Sequence, residues 1–167
     1  MILRTIIVAS LLILTGCVTN GGTQYMTVNN LHEKGLVPLS GQEVTAVILN
    51  KTLIGEYIST PHAQIKGKTA LWMEYFGSDG QTDYRYCESK KSDNWDCAKR
   101  VKGHWQLKEN EICFKYKTSA IYNRCFQMYV EEDVYLLVAT THKASGYLRA
   151  KIYKTLDGFV EESPFNS

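Results

Sequence analysis

Four of the five cysteines stand as two symmetric pairs in the middle of the chain, and that spacing restricts the fold more than any other feature. Cys113 and Cys125 are equidistant from Ser119, in the run Ile-Cys-Phe-Lys-Tyr-Lys-Thr-Ser-Ala-Ile-Tyr-Asn-Arg-Cys-Phe. Two strands turning at Thr118 to Ala120 would set these cysteines opposite each other, with Cβ atoms about 4.5–5.5 Å apart. Parity agrees, since Cys113 shares a face with Lys115 and Lys117 while Ile112, Phe114, Phe126 and Met128 take the other. Cys87 and Cys97 are likewise symmetric about Ser92, across the polar tip Lys90-Lys91-Ser92-Asp93-Asn94. Four cysteines allow three connectivities, and the hairpin geometry favours Cys87–Cys97 and Cys113–Cys125. Each closed loop of this size contributes about 3 kcal/mol in the chain-entropy model. No Cys-x-x-Cys occurs, and spacings of ten and twelve suit hairpins better than zinc knuckles, so no metal is expected.

The rest of the chain reads as strand and turn behind one short helix. Ser40-Gly41-Gln42-Glu43 has the form of a capping box, and Val44, Val47 and Ile48 follow at helical spacing, which predicts a helix over Gly41 to Asn50. Strands are predicted at Thr52–Ile58, Thr69–Phe76, Thr82–Glu88, His104–Lys108, Glu111–Lys117, Ile121–Val130, Val134–Thr141 and Tyr147–Thr155, with an Asp-Gly turn in Gly77-Ser78-Asp79-Gly80. Many short strands at close spacing close on themselves to remove exposed edges. The expected fold is therefore mainly β: a small antiparallel calycin-like barrel or sandwich of about eight strands preceded by one short helix. Leu71, Met73, Phe126, Met128, Leu136, Val138, Leu148 and Ile152 are the core-facing candidates, and their bulk predicts a filled interior.

The N-terminus gives an address. Met-Ile-Leu-Arg, an apolar run from Thr5 to Leu14 and Leu14-Thr15-Gly16-Cys17 make a charged start, a short apolar stretch and a small-residue cleavage site, the pattern of an export signal. A helical membrane span needs about 20 apolar residues, roughly twice this run. The ending Leu-Thr-Gly-Cys resembles the lipobox of bacterial lipoproteins. That resemblance implies cleavage before Cys17, lipidation of its sulfur and acylation of the new N-terminus. Val18 in place of aspartate implies sorting to the outer membrane. The expected organisation is 1–16 signal peptide, 17–38 lipidated start and flexible tether, 39–160 β domain and 161–167 tail. Loss of Arg4 with the signal leaves 18 basic against 17 acidic residues, but residues 85–124 hold ten basic groups against five acids. Such a basic middle suits an anionic ligand or surface.

Leu39-Ser40-Gly41-Gln42-Glu43 with Lys51-Thr52-Leu53-Ile54-Gly55, Tyr75-Phe76-Gly77-Ser78-Asp79-Gly80, and Gly103-His104-Trp105 through Ile112-Cys113 to Arg124-Cys125-Phe126 form three blocks. Together they resemble a family of small exported bacterial proteins, domain-of-unknown-function family 995. The resemblance spans Leu39 to Met128 and implies no reaction. His32, His62, His104 and His142 have no metal-binding spacing, and no Gly-x-Ser-x-Gly elbow or phosphate-cradling loop is present. Aromatics interleave with the basic segment, which makes Tyr84, Trp95, Lys99, Arg100 and Trp105 candidate ligand contacts. The expected role is a non-enzymatic, envelope-anchored lipoprotein without a cofactor, binding an anionic ligand or an envelope protein through its domain and the membrane through its lipid. Export argues against intracellular nucleic acid as a partner. The alternatives are an inhibitor of a hydrolase such as lysozyme, a small cell-wall hydrolase, and an envelope-assembly subunit.

Overall fold

β-branched and aromatic residues dominate nine short segments, and each becomes a strand of one antiparallel sheet. The computed structural model describes residues 25–62, 65, 70–91, 94–116 and 123–161. The expected signal peptide 1–16, Cys17, the turn at 118–120 and residues 162–167 lie outside them, as does the start of the expected tether. The elements are α1 (Val28–Glu33), α2 (Gly41–Ile48), β1 (Lys51–Tyr57), β2 (Ala70–Phe76), β3 (Gln81–Lys91), β4 (Asn94–Cys97), β5 (Val101–Lys108), β6 (Glu111–Tyr116), β7 (Arg124–Glu131), β8 (Val134–Ala139) and β9 (Leu148–Asp157). Eight strands close into a barrel in the order β1-β2-β3-β5-β6-β7-β8-β9, and β9 pairs back onto β1. The ninth, β4, lies beyond the barrel on the end of β3, where Cys87 is opposite Cys97. Both cross-links form as hairpin bridges, Cys87–Cys97 and Cys113–Cys125, each between directly opposed residues.

An eight-stranded barrel leaves an interior just wide enough for side chains or one small ligand. Here the two ends differ. At one end α2 is the plug. Ser40 caps it: its hydroxyl accepts from Glu43 N–H, while the Glu43 carboxylate accepts from Ser40 N–H at 2.8 Å. Val44 and Ile48 are fully buried against Leu53, Phe76, Ile112 and Met128. Gly41 sits where a Cβ would come within 2.6 Å of the Glu109 carbonyl, so the β5–β6 turn can lie tight against the helix start.

Part of the stretch read as a tether is structured. Residues 25–39 run along the outside of the barrel, with Leu148 N–H donating to Met26 O, Val28 N–H to Gly146 O and Leu39 N–H to Met128 O. Within this stretch α1 buries Leu31 completely against Tyr129, Leu136, Val138 and Leu148. That contact corrects the expected core. Phe126, Met128 and Ile152 face inward as expected. Leu136, Val138 and Leu148 face outward beneath α1, and Leu71 and Met73 alternate with inward Trp72 and Glu74. β8 is apolar on both faces because both faces are covered.

Truncating Leu31 removes the side chain that joins α1 to the barrel. Leu31→Ala should lower the free energy of unfolding by about 2–5 kcal/mol, measured by urea denaturation. A change below about 0.5 kcal/mol would mean that α1 is not docked in solution.

Candidate functional site

The inward face of β2 carries Trp72, Glu74 and Phe76, so a carboxyl group stands in the middle of an apolar barrel. Glu74 is 4% exposed, and its Oε1 lies 2.5 Å from both the Thr82 and the Tyr116 hydroxyl. The Thr82 hydroxyl is also 2.8 Å from the Tyr75 carbonyl. The Thr82 hydroxyl donates between these two acceptors, and the Tyr116 hydroxyl donates to the carboxyl as well. Burial raises the carboxyl from its ordinary 4.5 to about 7, against the lowering effect of its two hydroxyl partners.

Toward the end opposite α2, the barrel wall becomes polar and aromatic. Tyr57 donates to or accepts from Tyr84 at 3.0 Å between hydroxyls, and its ring lies 6.0 Å from Trp72 and 6.2 Å from Tyr86. Tyr57, Tyr86 and Tyr116 face inward yet are only partly buried, so among the described residues this end, the mouth, is the less tightly covered of the two. Burial raises the Tyr57 hydroxyl to about 12, so it is neutral across the physiological range.

Arg149 enters the same mouth through a register shift. Leu137 pairs with Ala150 and Val138 with Leu148, which leaves Arg149 as the extra residue of a bulge. Its guanidinium sits 5.0 Å from the Tyr57 ring centroid, and Nη1 donates to Ile58 O at 2.6 Å. Its Nε is buried with no hydrogen-bond partner. Burial, and then the nearby charge of Arg124, disfavours its charged form, while the surrounding tyrosines favour it. Arg124 is paired across the ladder with inward-facing Phe114, which puts it on the inward face as well. Trp72 is 3% exposed, and its indole N–H also lacks an acceptor. A buried donor left unpaired costs about 1–3 kcal/mol, and both of these side chains pack against the Tyr57 ring. Gly55 makes the Trp72 position available: a Cβ there would come within 2.7 Å of the indole and 2.2 Å of the Lys151 carbonyl.

A second concavity lies on the outer wall. It encloses about 440 Å³ over the Cys113–Cys125 bridge and is lined by His104, Gln106, Lys108, Lys115 and Asn123 among others. Glu111, Cys113 and Cys125 come within metal-binding distance of one another there, but both sulfurs are spent in the disulfide and offer no thiolate.

The five ligand contacts expected from the sequence are not brought together. Tyr84 faces the interior. Trp105 also faces inward but lies toward the α2 end, donating to Gly77 O and packing on Phe76. Lys99 is exposed. Arg100 is on the outer wall, paired with Asp83 at 2.9 Å and lying over Phe159. Trp95 is in β4, opposite Ser89, and its side chain lies outside the described residues. Trp72, Glu74, Tyr57 and Arg149 were not singled out. The one visible signal was Glu74 itself, an acid inside the apolar run Ala-Leu-Trp-Met-Glu-Tyr-Phe.

Comparison with protein families, with curated proteins and with solved structures finds no match.

Glu74 gives a signed expectation. Its pKa is raised on folding, so its contribution is favourable below pH 4.5 and is lost as pH rises through about 7. The loss amounts to about 3 kcal/mol. Glu43 acts in the opposite sense, its lowered pKa favouring the fold above the usual carboxylate range, so the test window is pH 5 to 8. Stability should fall across that window, and Glu74→Gln should flatten the fall, as read by the thermal midpoint against pH. An unchanged slope in the variant would remove Glu74 as its source.

Proposed function

We propose that this chain is an exported, lipid-anchored envelope lipoprotein whose barrel binds a small molecule without transforming it. The observation that carries the binding reading is the inequality of the two barrel ends. One is plugged by α2 through Val44 and Ile48, and the other is lined by partly exposed tyrosines with an arginine. Ligand sites are mostly apolar concavities with a few placed polar groups, which describes the mouth.

Two features favour binding over catalysis. Glu74 is held by Thr82 and Tyr116 in a ring of satisfied hydrogen bonds. Asp83, its neighbour along the sheet, points to the outer wall and pairs with Arg100, so these two carboxylates do not converge as a glycosidase pair would. The placement in the envelope is supported by the signal-like start and by two disulfides, which persist in oxidising compartments. The resemblance to family 995 adds no reaction to this reading.

Two measurements test it. Cys17→Ser should move the protein from the membrane pellet to the soluble fraction, because two or more acyl chains are what give stable attachment. A protein that still pellets fully would sink the anchor. In that soluble variant the neutral fluorophore N-phenyl-1-naphthylamine should bind saturably at one site. Tyr86→Ala, which removes a partly exposed inward ring 6.2 Å from that of Tyr57, should weaken this binding by about tenfold or more while the circular dichroism spectrum is kept. Binding that ignores the substitution would place the site elsewhere.

A further inference from the structure

The mouth holds one cation, Arg149, that no acid among the described residues answers. Arg149 is half-buried, and among the described residues no carboxylate pairs with it; its one protein hydrogen bond goes to the Ile58 carbonyl. The neighbouring charge it feels is the like charge of Arg124. Independently, the Trp72 indole N–H is buried, inward-facing and without an acceptor on the neighbouring rung. The acids nearest this end are engaged: the Glu88 carboxylate accepts from the Tyr86 hydroxyl at 2.9 Å, and Glu74 is covered by Thr82 and Tyr116. A half-buried arginine without an acid partner is matched by an anionic ligand, since a guanidinium presents a planar fork of donors to a carboxylate or phosphate.

We propose that the mouth selects a small molecule with an anionic head, a carboxylate or phosphate, seated on Arg149, with an apolar body along Tyr57 and Trp72. This rests on the reading of the mouth as a binding site and adds the chemical class of the ligand. A cationic head is disfavoured twice, by the charges of Arg149 and Arg124 and because the face of Tyr57 is already covered by the guanidinium.

The test uses the soluble Cys17→Ser protein and displaces N-phenyl-1-naphthylamine at neutral pH with decanoate, decyl phosphate or decan-1-ol. The two anions separate carboxylate from phosphate recognition, and the alcohol supplies the same body without charge. At least one anion should bind about tenfold or more tighter than the alcohol. Arg149→Gln, which retains a donor for the Ile58 carbonyl, should abolish that preference by weakening the anion toward the alcohol's affinity. Arg124→Gln should narrow the preference, and it carries the comparison if Arg149→Gln fails to fold. Equal affinities for all three compounds would overturn the anionic head while leaving the mouth as the binding site, as would a preference that survives both substitutions. Failure of all three to displace a bound fluorophore would overturn the ligand class. Absence of fluorophore binding would instead overturn the mouth reading beneath it.

Discussion

Seven register pairs between β1 and β9, from Lys51–Asp157 to Tyr57–Ala150, turn a meander into a container, and both ends of the molecule depend on them. Without that ladder β1 and β9 would be free edges, and the inward residues would have no opposite wall to pack on. The ladder is not regular. It slips between Ile54 and Gly55, leaving Tyr153 as the unpaired residue, half exposed on the outside. Gly55 at the slip has no Cβ, which lets the Lys151 carbonyl and the Trp72 indole approach the same point. A second slip on the far side of β9 turns Arg149 into the mouth. The two irregularities of the closing strand thus place the two unsatisfied donors of the site.

Along the barrel axis the interior changes character in the order that solvent access demands. Next to α2 it is apolar and fully buried, through Ile48, Phe76, Ile112 and Met128. Midway stands Glu74, whose burial is tolerated because the carboxyl is neutral or nearly so and both hydroxyl neighbours point at it. Nearest the mouth are tyrosines, whose rings continue the apolar wall while their hydroxyls bond to one another or to carboxylates. At this last level the Arg149 guanidinium keeps partial contact with water.

What could be read from the chain depended on how local the cause was. The cysteine pairs were legible because a hairpin places i and j opposite by symmetry alone, and the Ser40–Glu43 box because capping involves residues three apart. The strand number and the antiparallel closed sheet followed from the spacing of turns. Facing was not legible where both sides of a strand are covered. β8, Val-Tyr-Leu-Leu-Val-Ala, has no polar alternation to orient it, and only the docking of Leu31 shows that Leu136 and Val138 are outside. α1 itself is six residues without a strong apolar period, so its position is fixed by tertiary contact rather than propensity. Arg149 looked like any strand residue, because a bulge depends on the neighbouring strand. The candidate ligand contacts failed to assemble for the same reason: basic and aromatic residues close in sequence alternate between inner and outer wall.

The path of residues 25–39 bears on how an anchored barrel would present its mouth. The chain joins the barrel beside Leu148, at the mouth end of β9, and then descends the outer wall through Leu31 and the Lys34–Glu131 ion pair toward the α2 plug. Because Met26 and Thr27 are already fixed to Leu148 and Tyr147, the reach from Cys17 is shorter than a tether ending at Pro38 would give. The lipid anchor proposed for Cys17 would therefore meet the described fold first at Met26 and Thr27, on the mouth side rather than the plugged side.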